Sequence, residues 1–361
     1  MKAVLGALLL SASLSSLATP AVAAEKVILD DDFGSFSPTL IMLLHSKEVE
    51  LLGLTTVAGN NWVEIETASV TALMQRLGRT DIPIIAGAGE PLMGNRQPWY
   101  EHEERLFGNA EYLGAFARPR PEPLKPGKEN AVDFIVRKVK EFPNEVTLLV
   151  TGPATNIALA VKTHPEIVPL VKRVIYMGGA IDMPGNTTPA AEFNFWFDPE
   201  AIRITLRTPF KEQIVVPDDV CERVFYTKAI YDRIVAGPET TVVKMFKERQ
   251  GPGFASNPAR QSFIWDELTV AVMLKPEMVT KMEERFIDID TNYGPNYGRS
   301  IGYHESRRRS LKSPENFPAG TQKVKIVFDI NRDAFWNYFV GLMTMPDPPA
   351  KAQADTPRDS R

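Results

Sequence analysis

A single cysteine, Cys221, and four histidines are all that this 361-residue chain offers toward disulfides, thiol chemistry or imidazole sites. One cysteine forbids an internal disulfide, so the core alone must hold the fold. Neither HExxH nor paired CxxC spacing occurs, which removes the usual zinc arrangements. No GxGxxG follows the first strand candidate, and P-loop and GxSxG motifs are absent. Gly87-Ala88-Gly89 lacks the third glycine. An excess of one charge is missing too: 41 Lys+Arg face 45 Asp+Glu, net −4, so no nucleic-acid partner is expected. Arg307-Arg308-Arg309 reads as a solvated loop. Beyond the N-terminus no run of about 18 apolar residues exists, so no membrane span is expected.

What is present divides the chain into three. Residues 1–24 read as a signal peptide: Lys2 is the positive start, Val4 to Leu10 the apolar stretch, and Ala21-Val22-Ala23 the small-x-small cleavage pattern. The protein is therefore expected to be exported, periplasmic or secreted. Residues 25–345 form one domain without repeats or Gly/Ser linkers, long enough to bury a self-sufficient core. Residues 346–361, rich in Pro, Ala and charge, read as a disordered tail.

Short apolar runs alternate with helical patterns, which predicts an α/β sheet. Strands are expected at Lys26–Leu29, Val49–Thr56, Ile82–Ile85, Val146–Val150, Arg173–Met177, Gln213–Val216 and Lys323–Phe328. Helices are expected at Val63–Leu77, carrying Ile65, Ala68, Leu73 and Leu77 on one face, and at Ala131–Lys140, Ala154–Val161, Pro199–Leu206 and Ala334–Met343. Near-continuous apolar strands predict a mostly parallel sheet with helices on both faces.

Ligands of such sheets bind beyond the carboxyl ends of the strands. Here those ends carry Asp30-Asp31-Asp32, Gly59-Asn60-Asn61, Thr151 to Asn156, Gly178-Gly179 and Asp218-Asp219. Asp, Asn and Gly are ordinary turn residues, and at any single turn that reading wins. Three adjacent carboxylates directly after a buried strand repel one another and call for a cation or several donors.

The sequence resembles the inosine/uridine-preferring nucleoside hydrolases in VILDDDFG (Val27–Gly34), ELLGLTTVAGN (Glu50–Asn60) and DIPIIAGAGEPL (Asp81–Leu92). The resemblance continues through TGPATNIALA (Thr151–Ala160), the stretch Val174–Ala201 and WDELTVAVMLKP (Trp265–Pro276), in the family's order. It implies a single Rossmann-like α/β domain that hydrolyses the N-glycosidic bond of ribonucleosides. It also implies a Ca²⁺ that orients the attacking water and grips the ribose diol, with an Asp accepting the water's proton. By motif position Asp32 would be general base and metal ligand, Asp266 a second carboxylate ligand, and Thr155 a ligand through its backbone carbonyl. Asn60, Met177, Asn186, Glu192 and Asn194 would line the ribose pocket, with Trp265 and His102 toward the base. Singly, Asp266 reads as a helix N-cap and Met177 as core. Their joint occurrence in order favours the pocket.

The departures lie in the opening motif. The family has Asp-Thr-Asp-Pro-Gly-Ile-Asp-Asp where this chain has Asp30-Asp31-Asp32-Phe33-Gly34-Ser35-Phe36-Ser37. Phe36 and Ser37 thus replace a ribose partner and a metal ligand, although Ser37 could still offer a neutral oxygen. Fewer anionic ligands weaken a Ca²⁺ site. Trp265 replaces a His and cannot deliver a proton. Two alternatives stay open: a silent nucleoside- or sugar-binding protein on this fold, and a hydrolase of another ribose-like glycoside. The expected partner is a small ribose-containing molecule, and homo-oligomerisation is left open.

Overall fold

A computed structural model describes residues 23–94, 113–125, 127–303, 317–347 and 349. The expected signal peptide, except its last two residues, and His102 lie outside them. Among the described residues, no helix is long and apolar enough to cross a membrane.

Among the described residues the core is a nine-stranded sheet. In chain order it contains β1 (Glu25–Asp31), β2 (Val49–Thr56), β3 (Ile84–Ala86), β4 (Val146–Val150), β5 (Arg173–Met177) and β6 (Gln213–Val216). A separate two-stranded ribbon pairs β7 (Phe225–Thr227) with β8 (Gln261–Phe263). The main sheet is completed by β9 (Val279–Ile289), β10 (Ser300–Tyr303) and β11 (Gln322–Ile330), in the order β10-β9-β11-β6-β5-β4-β1-β2-β3. All pairs from β3 to β11 are parallel, whereas β9 runs antiparallel to both β11 and β10. The order reverses at β1, which has β2 on one side and β4 on the other. A crevice opens at such a switch point, beyond the strands' carboxyl ends.

Helices cover both faces. On one lie α1 (Pro38–His45), α2 (Val63–Arg76), α7 (Asp218–Cys221), α8 (Lys228–Val235), α9 (Thr241–Ser256), α10 (Asp266–Leu274) and α11 (Arg332–Met343), around a core that includes Leu29, Leu40, Leu149, Ile175, Leu268 and Phe335. On the other lie α3 (Ala131–Glu141), α4 (Thr155–Thr163) and α6 (Pro199–Arg207), around Ile28, Phe134, Leu148, Ile157 and Ile202. Alternate residues of β1 and β4 feed opposite cores, as the strand period of two requires.

Several sequence-based boundaries shift. Helix α2 buries Glu66, Val70, Leu73 and Met74, while Ala68 is exposed, so the expected Ala68 face is rotated. Helix α1 went unexpected because it is apolar nearly all round, a buried pattern without polar alternation. Strand β9 was hidden by its charged start, Lys281 to Arg285. Near the C-terminal end of the described residues, Asp347 accepts hydrogen bonds from the Thr241 N–H (2.9 Å) and hydroxyl (2.7 Å).

Candidate active site

The site is built where β1 ends. Asp30, Asp31 and Asp32 are all buried and point to different surroundings, as alternation demands. The Asp30 carboxylate accepts from the Thr55 hydroxyl and from Asn156 Nδ2 (2.7 Å), which tie β1 to β2 and α4. Burial holds it up at about 6. It is a structural acid. Asp31 is pushed to about 7 by burial and by the charge of Asp30 and Glu267.

Asp32 faces a cavity of about 510 Å³ at the switch point. Its Oδ2 accepts the Asn60 backbone N–H at 2.7 Å. Two glycines make room for it: a Cβ on Gly59 would sit 2.2 Å from Asp32 Oδ2, and one on Gly152 would sit 2.8 Å from its backbone nitrogen. Burial, and then the charges of Asp31, Glu66 and Asp266, push Asp32 well above the usual carboxylate range, against the Asn60 hydrogen bond. An acid so placed gives up its proton reluctantly and, once ionised, is an avid base.

The rest of the floor comes from two strand ends and a short helix. Thr151 follows β4, and Met177 ends β5. Asn194 donates from Nδ2 to the carbonyls of Thr151 and Met177, both at 3.1 Å, and to Met177 Sδ at 3.3 Å. Glu192 caps the short helix α5 (Phe193–Phe197), accepting N–H groups from Gly179 (2.8 Å), Asn194 (2.9 Å) and Phe195 (3.1 Å). Burial still raises it to about 7 against those three donors. Asn186 accepts the Phe193 N–H at 3.0 Å and donates to Asp218 at 3.3 Å. Pinned amides and carboxylates of this kind match the alternating donors and acceptors of a polyol.

The rim differs in character. Trp265, 36% exposed at the start of α10, and Phe193 give it aromatic faces, and Asn60, Asn61, Gly114, Ala117 and Arg118 complete it. Asp266, next to Trp265, is only half-buried because it lines the cavity. Even so, desolvation, followed by the charges of Asp31, Glu267 and Glu192, drives its carboxyl well up. A second cavity of about 450 Å³ lies behind, sharing Asp32, Asn60, Trp265 and Asp266 with the first and adding Asp31, Ser37 and Glu267.

Of the residues expected from the sequence, Asp32, Asn60, Met177, Asn186, Glu192, Asn194, Trp265 and Asp266 therefore line one cavity. Thr155 does not. It opens α4, with its hydroxyl on Asp198 Oδ2 at 2.7 Å, and its carbonyl belongs to the helical ladder. Thr151, directly after a strand like Asp32, lines the cavity instead, and that position was the available signal. Asn61, Phe193 and Arg118 were also missed.

The oxygen-only donor set suits a hard divalent cation. Asp32 and Asp266 supply carboxylates, and Thr151 lines the same cavity. The positions changed in the opening motif add no charge. Ser37 Oγ caps α1 by accepting the Leu40 N–H at 3.2 Å, and Phe36 packs edge-on against Phe246 at 4.9 Å. Among the described residues no group of three or more His, Cys, Asp and Glu side chains has metal-holding geometry. What the cavity offers a cation is two carboxylates, Asp32 and Asp266, with neutral oxygens around them.

Comparison with known proteins identifies relatives of the whole domain. "Probable uridine nucleosidase 1" of Oryza sativa subsp. japonica is 38% identical over 181 residues, 50% of this chain and 54% of that one. The match thus spans little more than half of that relative's length. The "Pyrimidine-specific ribonucleoside hydrolase RihA" of Enterobacter sp. (strain 638) is 33% identical over 278 residues, 74% of this chain and 84% of that one. Among solved structures, a plant nucleoside hydrolase, the PpNRh1 enzyme, superposes with TM-score 0.75 at 25% identity, covering 89% of this chain and 99% of that one. The family model for inosine-uridine preferring nucleoside hydrolases matches residues 27–337, and the chain belongs to that family.

Proposed function

We propose that this protein hydrolyses the N-glycosidic bond of ribonucleosides to free base and ribose, with Asp32 as general base. The observation that carries the reading is the buried Asp32 carboxylate, fixed by the Asn60 N–H on the floor of a cavity whose other walls suit a sugar. The amides of Asn186 and Asn194 and the carboxylate of Glu192 orient the ribose hydroxyls. Charge grows on the anomeric carbon as the base departs, and the carboxylates of Asp32, Asp266 and Glu192 stabilise it. Water adds to that carbon as Asp32 takes its proton. Trp265 and Phe193 stack against the base. Asp32, Asp266 and an oxygen of Thr151 would hold a divalent cation, Ca²⁺ by the family resemblance, and such an ion supplies the positive field that acidifies water and orients a diol. The signal-like residues 1–24 support export to the periplasm or medium as the setting.

A second reading, a silent binder of nucleosides or sugars, is favoured by Phe36 and Ser37, which contribute no carboxylate. Release of free ribose from a ribonucleoside panel, with Ca²⁺ or chelator, separates the two. Turnover that requires the ion and is lost in Asp32→Asn supports the hydrolase. A folded protein that binds nucleosides without turnover at millimolar Ca²⁺ supports the binder.

A further inference from the structure

We infer that Arg118 is a catalytic residue that receives the departing nucleobase, donating hydrogen bonds to an acceptor edge of the base as it takes up negative charge. The inference rests on the hydrolase reading above and adds a role at its other end.

The cavity is divided by chemistry. Its buried floor carries Asp32, Thr151, Met177, Glu192 and Asn194, while its exposed rim carries Trp265 and Arg118. A flat conjugated ring belongs against the aromatic rim, and the sugar against the amides and carboxylates below. Arg118 is the one cationic side chain lining this cavity among the described residues.

Its backbone is held firmly. Arg118 closes a short 3₁₀ turn, Gly114–Ala117, and its carbonyl accepts the indole N–H of Trp62 at 2.9 Å. Trp62 is buried edge-on against Phe116, whose ring stacks on Phe197 at 4.8 Å. Nη1 of the side chain donates to the Asn61 side-chain oxygen, and the guanidinium charge also acts on the buried Glu66, against the burial that raises that carboxyl. Two residues further on, Arg120 is fully engaged with Glu64 (3.1 Å) and Glu90 (2.6 Å). Arg118 forms no such ion pair among the described residues, and it lines the cavity at its exposed rim. A guanidinium carries five donors in a fixed fork, and one amide oxygen leaves most of them free.

The chemistry needs such a group. When the bond from the anomeric carbon to the base nitrogen breaks, its electron pair goes to the base. Trp265 and the amides at the rim carry no charge to offset it. Arg118 does so by hydrogen bonding, without itself giving up a proton. Water's oxygen bonds to the anomeric carbon, its proton passes to Asp32, and the base takes a proton from solvent after release. The substrates favoured are nucleosides whose base presents an oxo or ring-nitrogen acceptor away from the sugar.

The test compares Arg118→Ala with the full-length wild type on uridine, inosine and p-nitrophenyl β-D-ribofuranoside, whose phenolate leaves unaided. Removing one donor of this kind costs about 10²-fold or more in kcat. The expected result is a loss of about that size on both nucleosides, with less than about threefold change on the nitrophenyl riboside. Arg118→Lys should recover part of the loss because it keeps the charge. Equal losses on all three substrates would assign Arg118 a purely positional role and overturn the inference. Unchanged rates on all three would overturn it as well, leaving the hydrolase reading intact. A wild type inactive on every substrate would remove both. Because the side chain is exposed, the variant should keep the wild-type melting temperature.

Discussion

Gly59 and Asp32 occupy positions that exclude any larger residue at 59: a Cβ there would lie 2.2 Å from the Asp32 carboxylate oxygen. The next residue, Asn60, holds that same oxygen through its backbone N–H. Gly59→Ala must therefore push the carboxylate off its position or shift the β2 loop. Displacement of a reacting group by about 1 Å can cost on the order of 10²-fold. Gly59→Ala is expected to lower kcat by that order, with a smaller effect on nucleoside binding measured by calorimetry. Full activity would show that the carboxylate's position is not critical.

Ion binding should follow the carboxylate count. Asp32→Asn and Asp266→Asn are each expected to weaken Ca²⁺ affinity at least about tenfold in titration calorimetry. Ser37 lines the rear cavity with Asp31, Asp32 and Asp266, and Asp is as good a helix cap as Ser. Ser37→Asp should thus keep α1 and tighten Ca²⁺ binding by a similar factor. Unaltered affinity in all three variants would place the ion elsewhere.

Stability should fall as pH rises. Burial, then the charges of Glu192, Glu222 and Asp219, lift Asp218 to about 9, and one of its oxygens is buried without a partner. Unfolded, it titrates near 4. Between these values the folded protein retains a proton that the unfolded chain has lost, so each rise in pH favours unfolding. The urea midpoint should decline from pH 5 to 9, and Asp218→Asn should flatten that decline. An unchanged slope would mean that Asp218 is ionised in the fold.

A different acid stabilises in the opposite sense. Asp288 on β9 accepts from Arg203 (3.0 Å) and Arg207 (2.6 Å) of α6, and these partners hold its carboxyl below the usual range despite burial. Its contribution is present above the unfolded pKa and is lost as pH falls through the folded one. The arginines are partly exposed, so Asp288→Asn should cost about 1–2 kcal/mol. Urea unfolding at pH 7 measures this, and a loss below about 0.3 kcal/mol would contradict it.

The sequence was most legible where a strand is buried on both faces. Strands β2, β4, β5 and β6 read as apolar runs with the residue boundaries the structure gives them. The carboxylates and amides at their ends could be expected to converge, because a parallel sheet brings all its carboxyl ends to one edge. Strand β9 was illegible because one half is charged, and α1 because burial removed its polar face. Thr155 was expected by motif position, but it opens α4, whereas Thr151, directly after β4, lines the cavity. Arg118 drew no role of its own from the sequence, since an arginine in a Pro-rich loop reads as solvent-exposed.

The central claim, that the Asp32 cavity splits nucleosides with water, is tested most directly by hydrolysing uridine and inosine in ¹⁸O-water. The account predicts one ¹⁸O at C1 of the released ribose, none in the base, and no dependence on phosphate. Asp32→Asn should lower the rate by 10³-fold or more while the protein stays folded, about what loss of a positioned general base costs. Phosphate-dependent cleavage without label in the sugar, or tight nucleoside binding without product, would contradict it.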